Sequence, residues 1–305
     1  MRYDALVYGP LFCDLIFTEL DEFPSLGTEI FAKEFTIAIG GSAIVAAGLQ
    51  RLGAKVGLIA DLGNDPFSQV AASLLDGLGI DRRLIRTHRQ PLPQLTVALS
   101  YPHDRAFITR FEKPAQPHNL AAILREHPSK HLHIGSFLAA YDALNAAQIA
   151  HEVGTTVSFD PGWDEAALLD EQVHQVAAEV DYFMPSRSEL CYMMGEEDVQ
   201  TALDKALSRM TNGTIIMKNS SQGVLAHTAD KTITVTALPV TPIDTTGAGD
   251  AFDAGFIYGL VNNHSLEDCC RYGAVCGALA TTAVGGATGT PTHEEVKTWL
   301  SKLPS

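Results

Sequence analysis

Short runs of Val, Ile and Leu recur along the chain, separated by segments with apolar residues every three or four positions. The runs predict strands at 4–9, 55–61, 131–135, 155–160, 181–185 and 214–218. The intervening segments predict helices at 42–52, 66–78, 142–152, 165–178, 198–211, 249–262, 265–284 and 293–301. This alternation is typical of an α/β fold in which helices cover both faces of a largely parallel sheet. Ligands in such folds bind beyond the carboxyl ends of the strands.

Two segments interrupt the alternation, at 28–41 and 94–113. The second has the alternating pattern of a hairpin, with "PHDR" (102–105) as its turn. Neither segment has a helix placed to bury a sheet face, so we expect them to pair into a small second sheet. We therefore predict one domain over 1–305, with a lid inserted at roughly 12–40 and 92–113 that closes over the strand ends.

The charge balance excludes several classes of partner. The 305 residues include 21 basic and 36 acidic side chains, a net charge of −15. Such a surface repels nucleic acid and anionic membranes, so we expect neither as a partner. The amino-terminal residues lack a signal-peptide pattern, and the small-residue run 273–289 is too glycine-rich to span a bilayer. Five cysteines without C-x-x-C spacing indicate reduced thiols, and we expect a cytoplasmic protein.

The stretch "DTTGAGDAF" (244–252) contains the strongest candidate chemistry. Gly247, Ala248 and Gly249 lie at the entrance of the helix predicted at 249–262, where free amides and the helix dipole attract an anion. Asp250 lies at the mouth of the same site. Its other interpretation is an ordinary helix N-cap after a glycine-rich turn.

Two further groups of residues point to the crevice at the strand ends. Asp14 follows the first predicted strand and can accept two hydroxyls at once. Gly40 and Gly41 precede the helix at 42–52 and let the backbone approach a ligand, or form only a tight turn. Ser42 is the predicted cap of that helix.

Together with "GG…AAGLQRLGAKVGLIADLGND" (40–65), the stretch 244–252 resembles the two signatures of ribokinase-like (PfkB-type) carbohydrate kinases. The resemblance covers nearly the whole chain. It implies a three-layer ribokinase-like fold with a mainly parallel central sheet and a small β-sheet lid. It also implies an ATP-dependent kinase that transfers the γ-phosphate to a sugar hydroxyl, with Mg²⁺ on the nucleotide. Asp250 would be the general base, and the Gly247-Ala248-Gly249 amides would hold the phosphoryl group.

The same resemblance assigns further positions. The residues implied for substrate binding are Asp14, Gly40, Gly41 and Ser42. Those implied for the nucleotide are Ser186, Lys218, Ser220 and Gly223, with Glu189 acting indirectly on Mg²⁺. Those implied for a monovalent cation such as K⁺ are Asp244, Thr246, Thr281, Val284, Gly286 and Thr290. For Asp244 and Thr246, side-chain hydrogen bonds within the turn are an equally open interpretation.

The chain departs from the family pattern at several positions, which keeps other functions open. The departures are Val45, Gly162, Asp164, Ser186, Ser220 and Ala274. A nucleoside kinase remains an alternative, with Phe12, Phe137 and Trp163 as candidates for a base slot. A sugar-sensing protein without turnover is another. The lid is compatible with a homodimer. His131 and His133 share one strand face, where a buried role is expected rather than zinc binding.

Overall fold

The computed structural model describes residues 2–101 and 105–302. Its strands are β1 (Ala5–Tyr8), β2 (Leu11–Thr18), β3 (Glu34–Gly41), β4 (Val56–Leu62), β5 (Ile85–Thr87), β6 (Leu95–Ser100), β7 (Arg105–Arg110), β8 (His131–Ile134), β9 (Thr156–Phe159), β10 (Tyr182–Phe183), β11 (Thr214–Lys218), β12 (Val224–His227) and β13 (Thr232–Val235). Its helices are α1 (Ser42–Arg51), α2 (Pro66–Gly77), α3 (Leu120–Glu126), α4 (Phe137–Ala140), α5 (Ala146–Glu152), α6 (Glu165–Leu168), α7 (Glu171–Glu179), α8 (Arg187–Met194), α9 (Val199–Leu207), α10 (Ala248–Val261), α11 (Leu266–Ala280) and α12 (His293–Leu300).

A nine-stranded sheet forms the centre of the protein, in the order β13-β12-β11-β10-β9-β8-β1-β4-β5. It is parallel from β5 to β11, and only β12 and β13 pair antiparallel. Every residue of β1, β4 and β8 is buried. Leu6 and Tyr8 face one hydrophobic core and Ala5 and Val7 face another, as the two-residue repeat of a covered strand requires. The predicted α/β fold with helices on both faces is confirmed.

A smaller four-stranded sheet has the order β3-β2-β6-β7. It is antiparallel except between β2 and β6. Both interrupting segments therefore contribute to a second sheet, although β2 lies between them and pairs with β3 and β6. The segment 94–113 does form a hairpin. Residues 102–104 of the predicted turn lie outside the described residues, and Arg105 begins β7.

Several predicted boundaries were wrong for local reasons. The helix predicted at 165–178 is two helices, because Asp170 caps a new one by accepting a hydrogen bond from the Gln172 amide at 2.8 Å. The helix predicted at 265–284 ends at Ala280, before Gly285 and Gly286 with φ of 84° and 37°. The helix predicted at 142–152 begins only at Ala146. Strands β2, β5, β12 and β13 and helices α3, α4 and α8 were not predicted.

Helix α10 lies deep in the protein and positions the candidate site. Nine of its residues are buried. Gly255 and Gly259 permit close packing on α11, since Cβ atoms there would lie 2.6 Å from the Tyr272 carbonyl oxygen and 2.9 Å from the Cα of Cys269. Among the residues described, no helix is long and apolar enough to cross a membrane.

Leu168 at the end of α6 and the adjacent Leu169 offer a matched test of how the hydrophobic core packs. Leu168 is fully buried, whereas Leu169 is 60% exposed. We expect Leu168→Ala to lower the free energy of unfolding by about 2–5 kcal/mol, because it leaves a cavity. Leu169→Ala should change it by less than about 0.5 kcal/mol. Urea denaturation of both variants measures the difference, and equal losses would contradict the described packing.

Candidate active site

The entrance of α10 is built to leave backbone amides free. Gly247 adopts φ 71°, and a Cβ atom there would lie 2.8 Å from the Cα of Gly286, so a larger side chain does not fit. The first hydrogen bond that leads into the helix runs from the Ala251 amide to the Gly247 carbonyl at 2.9 Å. The amides of Gly249 and Asp250 precede it and have no partner within the helix. This geometry suits an anion, as the sequence predicts.

Asp250 lies in the first turn of α10 and is half-buried. Burial and the nearby Asp160 carboxylate raise the pKa of Asp250 to about 7, against the opposing charge of Lys218. The N-cap position belongs to Gly247, so the interpretation of Asp250 as the cap is wrong. A carboxylate with a pKa near neutrality is well matched to accepting a proton from a hydroxyl.

Lys218, at the end of β11, provides positive charge beside this entrance. Its Nζ lies 2.6 Å from Asp160 Oδ2 and 3.3 Å from Asp253 Oδ1. It also lies 3.6 Å from the point where a Cβ of Gly249 would stand. Burial opposes the charged form, but the carboxylates of Asp160, Asp253 and Glu189 outweigh it and raise the pKa of Lys218. The ammonium is therefore fixed and charged next to the helix amides.

The two carboxylates beside Lys218 hold different protonation states. Burial raises the pKa of Asp253 well above its ordinary value, and Asp160 adds to the shift. For Asp160 the charge of Lys218 and a hydrogen bond from Asp253 outweigh burial and lower the pKa. Asp253 therefore donates a hydrogen bond to the ionised Asp160. The pair carries one negative charge, which Lys218 balances.

A buried polar chain continues behind Asp253. His133 Nε2 lies 3.8 Å from Asp253 Oδ2, and His133 Nδ1 lies 2.8 Å from Ser158 Oγ. The hydroxyl of Ser158 also lies 2.7 Å from His131 Nε2. Burial lowers the pKa of both histidines, so they are neutral near pH 7. The predicted buried role of His131 and His133 is consistent with this chain.

Sequence reasoning overlooked Asp160, Asp253 and Arg105 as members of the site. Asp160 directly follows β9, and the rule that polar residues at strand ends face the crevice could have found it. Asp253 is one turn after Asp250, but the predicted apolar face of this helix gave no sign that its polar face is buried too. Arg105 Nη1 donates to Thr246 Oγ1 at 2.8 Å, a contact from the small sheet that no local pattern predicts.

Asp14 of β2 lies against Gly40 of the neighbouring strand β3 in the small sheet. Asp14 lies in β2, not after a strand of the main sheet, and is buried. A Cβ atom at Gly40 would lie 2.2 Å from Asp14 Oδ2. Burial and the nearby Asp250 carboxylate raise the pKa of Asp14 to about 7, and a hydrogen bond from Thr96 opposes the shift. The predicted acceptor anchor and the predicted base are thus close enough to act on one ligand.

The role predicted for Ser42 as a helix cap is wrong. Gly41, with φ 63°, occupies the N-cap position of α1 and makes no side-chain capping bond. The Ser42 hydroxyl instead donates to the Gly135 carbonyl oxygen at 3.1 Å. A Cβ atom at Gly9 would lie 1.9 Å from Ser42 Oγ. Ser42 therefore joins the ends of the first strands from a fully buried position.

The predicted nucleotide turn follows β11. Ser220 has φ 49° in a position that favours glycine, so its departure from the family pattern is strained. Gly223 has no room for a side chain, because a Cβ atom would lie 2.0 Å from the Val235 carbonyl oxygen. Ser186 and Glu189 form a capping box at the start of α8, with the Ser186 amide donating to Glu189 Oε2 at 2.6 Å. Ser186 pairs with Lys218 in an isolated parallel β-bridge, which places both residues of the capping box next to Lys218.

These residues fit Mg²⁺ only as a partner of bound phosphates. In the described part of the chain, no group of three or more His, Cys, Asp or Glu side chains can hold a metal ion. Glu189 and Asp160 face Lys218 and Asp250 without forming such a group. Mg²⁺ commonly binds through one or two carboxylates and substrate phosphates, with water completing its shell.

The predicted cation residues come from two loops that the structure brings together. Asp244 Oδ1 accepts from the Thr246 amide at 2.9 Å, and Oδ2 accepts from the Gly285 amide at 3.0 Å. The Thr281 carbonyl accepts from the amides of Ile243 and Asp244. The remaining predicted ligands, Val284, Gly286 and Thr290, lie on the second loop. The two bonds to the Thr281 carbonyl use both of its lone pairs, so a cation here would depend on the other oxygens of the two loops.

The aromatic candidates for a base slot lie on different elements. Phe12 is buried on β2 and contacts Phe111 at a ring separation of 6.1 Å. Phe137 begins α4. Trp163 is 52% exposed and packs on Tyr192 of α8.

The helix entrance, the buried lysine and the two carboxylates are groups that a phosphotransferase acting on a small-molecule hydroxyl needs. Comparison with known proteins agrees. The model of the pfkB family carbohydrate kinases matches residues 4–293. The chain therefore belongs to the pfkB family of carbohydrate kinases.

Known relatives and solved structures support this membership. Fructokinase of Klebsiella pneumoniae is 27% identical over 279 residues, covering 85% of this chain and 90% of the relative. The structure of Arabidopsis thaliana ribokinase complexed with ribose and ATP superimposes with a TM-score of 0.85 at 22% identity, covering 98% and 99% of the two chains. The nucleoside kinase of Methanocaldococcus jannaschii gives a TM-score of 0.81 at 24% identity, covering 99% of each chain. The protein is a kinase of this family, and the two structures show that its fold is shared.

The raised pKa of Asp250 predicts a pH-dependent cost to stability. Its folded pKa of about 7 exceeds the ordinary value near 4, so the folded state binds this proton more tightly between those pH values. The contribution of Asp250 to the free energy of unfolding therefore falls as the pH rises from about 4 to 7 and then stays level.

Asp250→Asn removes that cost. We expect the variant to gain about 1–3 kcal/mol in the free energy of unfolding at pH 8 and little at pH 4. Denaturant titrations at both pH values measure the difference. Asp230→Asn, the same change at an exposed position, should show no such gain. A gain of equal size at both pH values would contradict the described environment of Asp250.

Proposed function

We propose that the protein transfers the γ-phosphate of ATP to a hydroxyl of a sugar. The observation that carries this proposal is the first turn of α10, which presents the Gly249 and Asp250 amides and the Asp250 carboxylate together. Asp14, which responds to the charge of Asp250, anchors the acceptor hydroxyls on the opposite side. An acceptor bound between them has its hydroxyl next to the base and facing the helix amides.

Each group then has one task in phosphoryl transfer. Asp250 takes the proton of the attacking hydroxyl as a general base. The helix amides and the Lys218 ammonium stabilise the negative charge that spreads over the equatorial oxygens of the transferred group. Asp160 and Asp253 hold Lys218 in place. Their shared proton prevents two carboxylate charges from cancelling the ammonium.

Metal ions support the reaction without supplying the base. Mg²⁺ bound to the nucleotide phosphates offsets their charge, with Glu189 acting through its shell. A K⁺ ion between the loops of Asp244 and Thr281 would sit behind Gly247 and add positive charge to the anion site. Support for K⁺ is the convergence of the six predicted ligands on these two loops.

The small sheet serves in this proposal as a lid over the acceptor. Arg105 ties it to the loop of Thr246, next to the helix entrance. Its surface also exposes Phe35 and Ile37 on β3 and Phe107 and Ile108 on β7, at 39–64% exposure. Such apolar edge residues favour pairing with a second copy of the chain. Five free cysteines, four of them buried, support a cytoplasmic location.

A nucleoside is the second candidate acceptor. The observation in its favour is the backbone likeness to the nucleoside kinase of Methanocaldococcus jannaschii. A sensor without turnover is less well supported, because a binding protein has no need of a base beside the anion site.

Substituting the base tests the proposal directly. We expect Asp250→Asn to lower kcat by about 10²–10⁴-fold on the best acceptor, because the amide cannot accept the proton. ADP formation from ATP and Mg²⁺ is measured with D-fructose, D-ribose and adenosine, each with and without K⁺.

Asp230→Asn serves as the matched control and should keep wild-type turnover. An Asp250→Asn variant that retains most of its activity would refute the assigned base. Sugar binding without ADP formation in the wild type would instead favour the sensor.

A further inference from the structure

A small, partly open cavity lies next to the proposed acceptor site, at the carboxyl ends of β1 and β4. Its volume is about 40 Å³. Tyr8, Gly9, Asp61, Gln94, Phe111 and His118 are among the residues that line it. At 10–15 Å³ for each water-sized sphere it holds about three waters. A complete ligand needs about 300 Å³ or more, so this cavity can receive only one small group of a larger molecule.

Two polar groups of the lining lack a partner in the described part of the chain. Gln94 is 6% exposed, and its Oε1 is buried without a hydrogen bond. Its Nε2 donates to the Glu112 carbonyl at 3.4 Å, which fixes the amide orientation and leaves the oxygen as the open acceptor. Tyr8 is 6% exposed, and its hydroxyl makes no hydrogen bond to the described residues. Burial and the charges of Asp142 and Asp61, both in the lining, raise the pKa of this phenol.

The charged groups of the lining are already paired. Asp61 accepts hydrogen bonds from Arg86 Nε at 2.7 Å and contacts His118 Nε2 at 2.9 Å. Arg86 also donates to the Gln116 carbonyl at 2.6 Å. Lys113 pairs with Asp142 at 2.9 Å. A phosphate or carboxylate would have to break these pairs, whereas a neutral hydroxyl can use the open oxygen of Gln94 and the hydroxyl of Tyr8.

The cavity adjoins the acceptor anchor through two connections. Gln94 directly precedes β6, and its carbonyl accepts from the Cys13 amide at 3.0 Å. Thr96, two residues further on, hydrogen-bonds to Asp14, so Gln94 lies roughly 7 Å along the strand from that anchor. On the other side of the cavity, Gly9 lies so close to Ser42 that a Cβ atom at position 9 would not fit.

From these observations we propose that the cavity receives a hydroxymethyl group of a neutral sugar acceptor, with Gln94 Oε1 accepting the hydrogen bond of its hydroxyl. This inference rests on the proposed function and narrows it. It excludes a purine, which is far too large, and an acidic group as the part that enters the cavity.

Three pairs of sugars that differ by one hydroxymethyl group test the proposal: D-fructose with D-arabinose, D-glucose with D-xylose, and D-allose with D-ribose. Initial rates of ADP formation give kcat/KM for each sugar and for adenosine, and calorimetry without ATP gives the Kd of each sugar. We expect the best acceptor to be a hydroxymethyl-bearing sugar, preferred about tenfold or more over its smaller partner. Gln94→Leu should reduce that preference about threefold to tenfold.

The matched control is Gln175→Leu, the same change at an exposed position of α7, which should leave the preference unaltered. A best acceptor from the smaller sugars, a higher kcat/KM for adenosine, or a Gln94→Leu variant with unaltered preference would overturn the inference. If Gln94→Leu does not fold, the wild-type comparison of the pairs still decides.

Absence of ADP with every acceptor would refute the proposed function itself. The calorimetric comparison then decides on the cavity alone, since the same preference in Kd supports the inference and no binding of any of the six sugars overturns it.

Discussion

One buried ammonium organises the chemistry of this protein. Lys218 lies among Asp160, Asp253 and Glu189, beside the free amides at the entrance of α10. A buried carboxylate without a counter-charge is costly, and here several stand within reach of a single positive group. Sharing a proton between Asp253 and Asp160 resolves this conflict. The charges of Asp160 and Glu189 keep the ammonium protonated, and burial leaves the Asp250 carboxylate in surroundings that favour its protonated form.

The same arrangement explains why the base is poised near neutrality. Asp250 on α10 and Asp14 on β2 approach a common space, and burial raises the pKa of each to about 7. In the proposed reaction, hydroxyls of an acceptor between them would donate hydrogen bonds to Asp14, and the attacking hydroxyl would give its proton to Asp250. The cost of holding both carboxylates there is borne by the rest of the fold, and it buys reactivity at the helix entrance.

Two departures from the family pattern have local consequences in the structure. Ser220 keeps a left-handed backbone that suits glycine, and Ser186 is absorbed into the capping box of α8. The first adds backbone strain at Ser220, and the second shortens the reach of the side chain at Ser186. Neither removes the base, the amides or Lys218. In the proposed function, the acceptor side, with the open oxygen of Gln94, selects the sugar.

The sequence by itself determined the layered α/β fold, the second sheet and the helix entrance of Gly247 to Asp250, because each depends on a repeat or on residues close together in the chain. It also pointed to Asp14, shortly after the first strand and within the lid predicted at roughly 12–40. Only the tertiary structure decided that Asp160, Lys218 and Asp253 meet, and that Arg105 reaches Thr246. These groups come from separate strands and helices, and parallel crossovers bring them to one sheet edge without a local signal. The split of 165–178 and the end of α11 likewise depended on caps and glycine conformations that compete with helical periodicity.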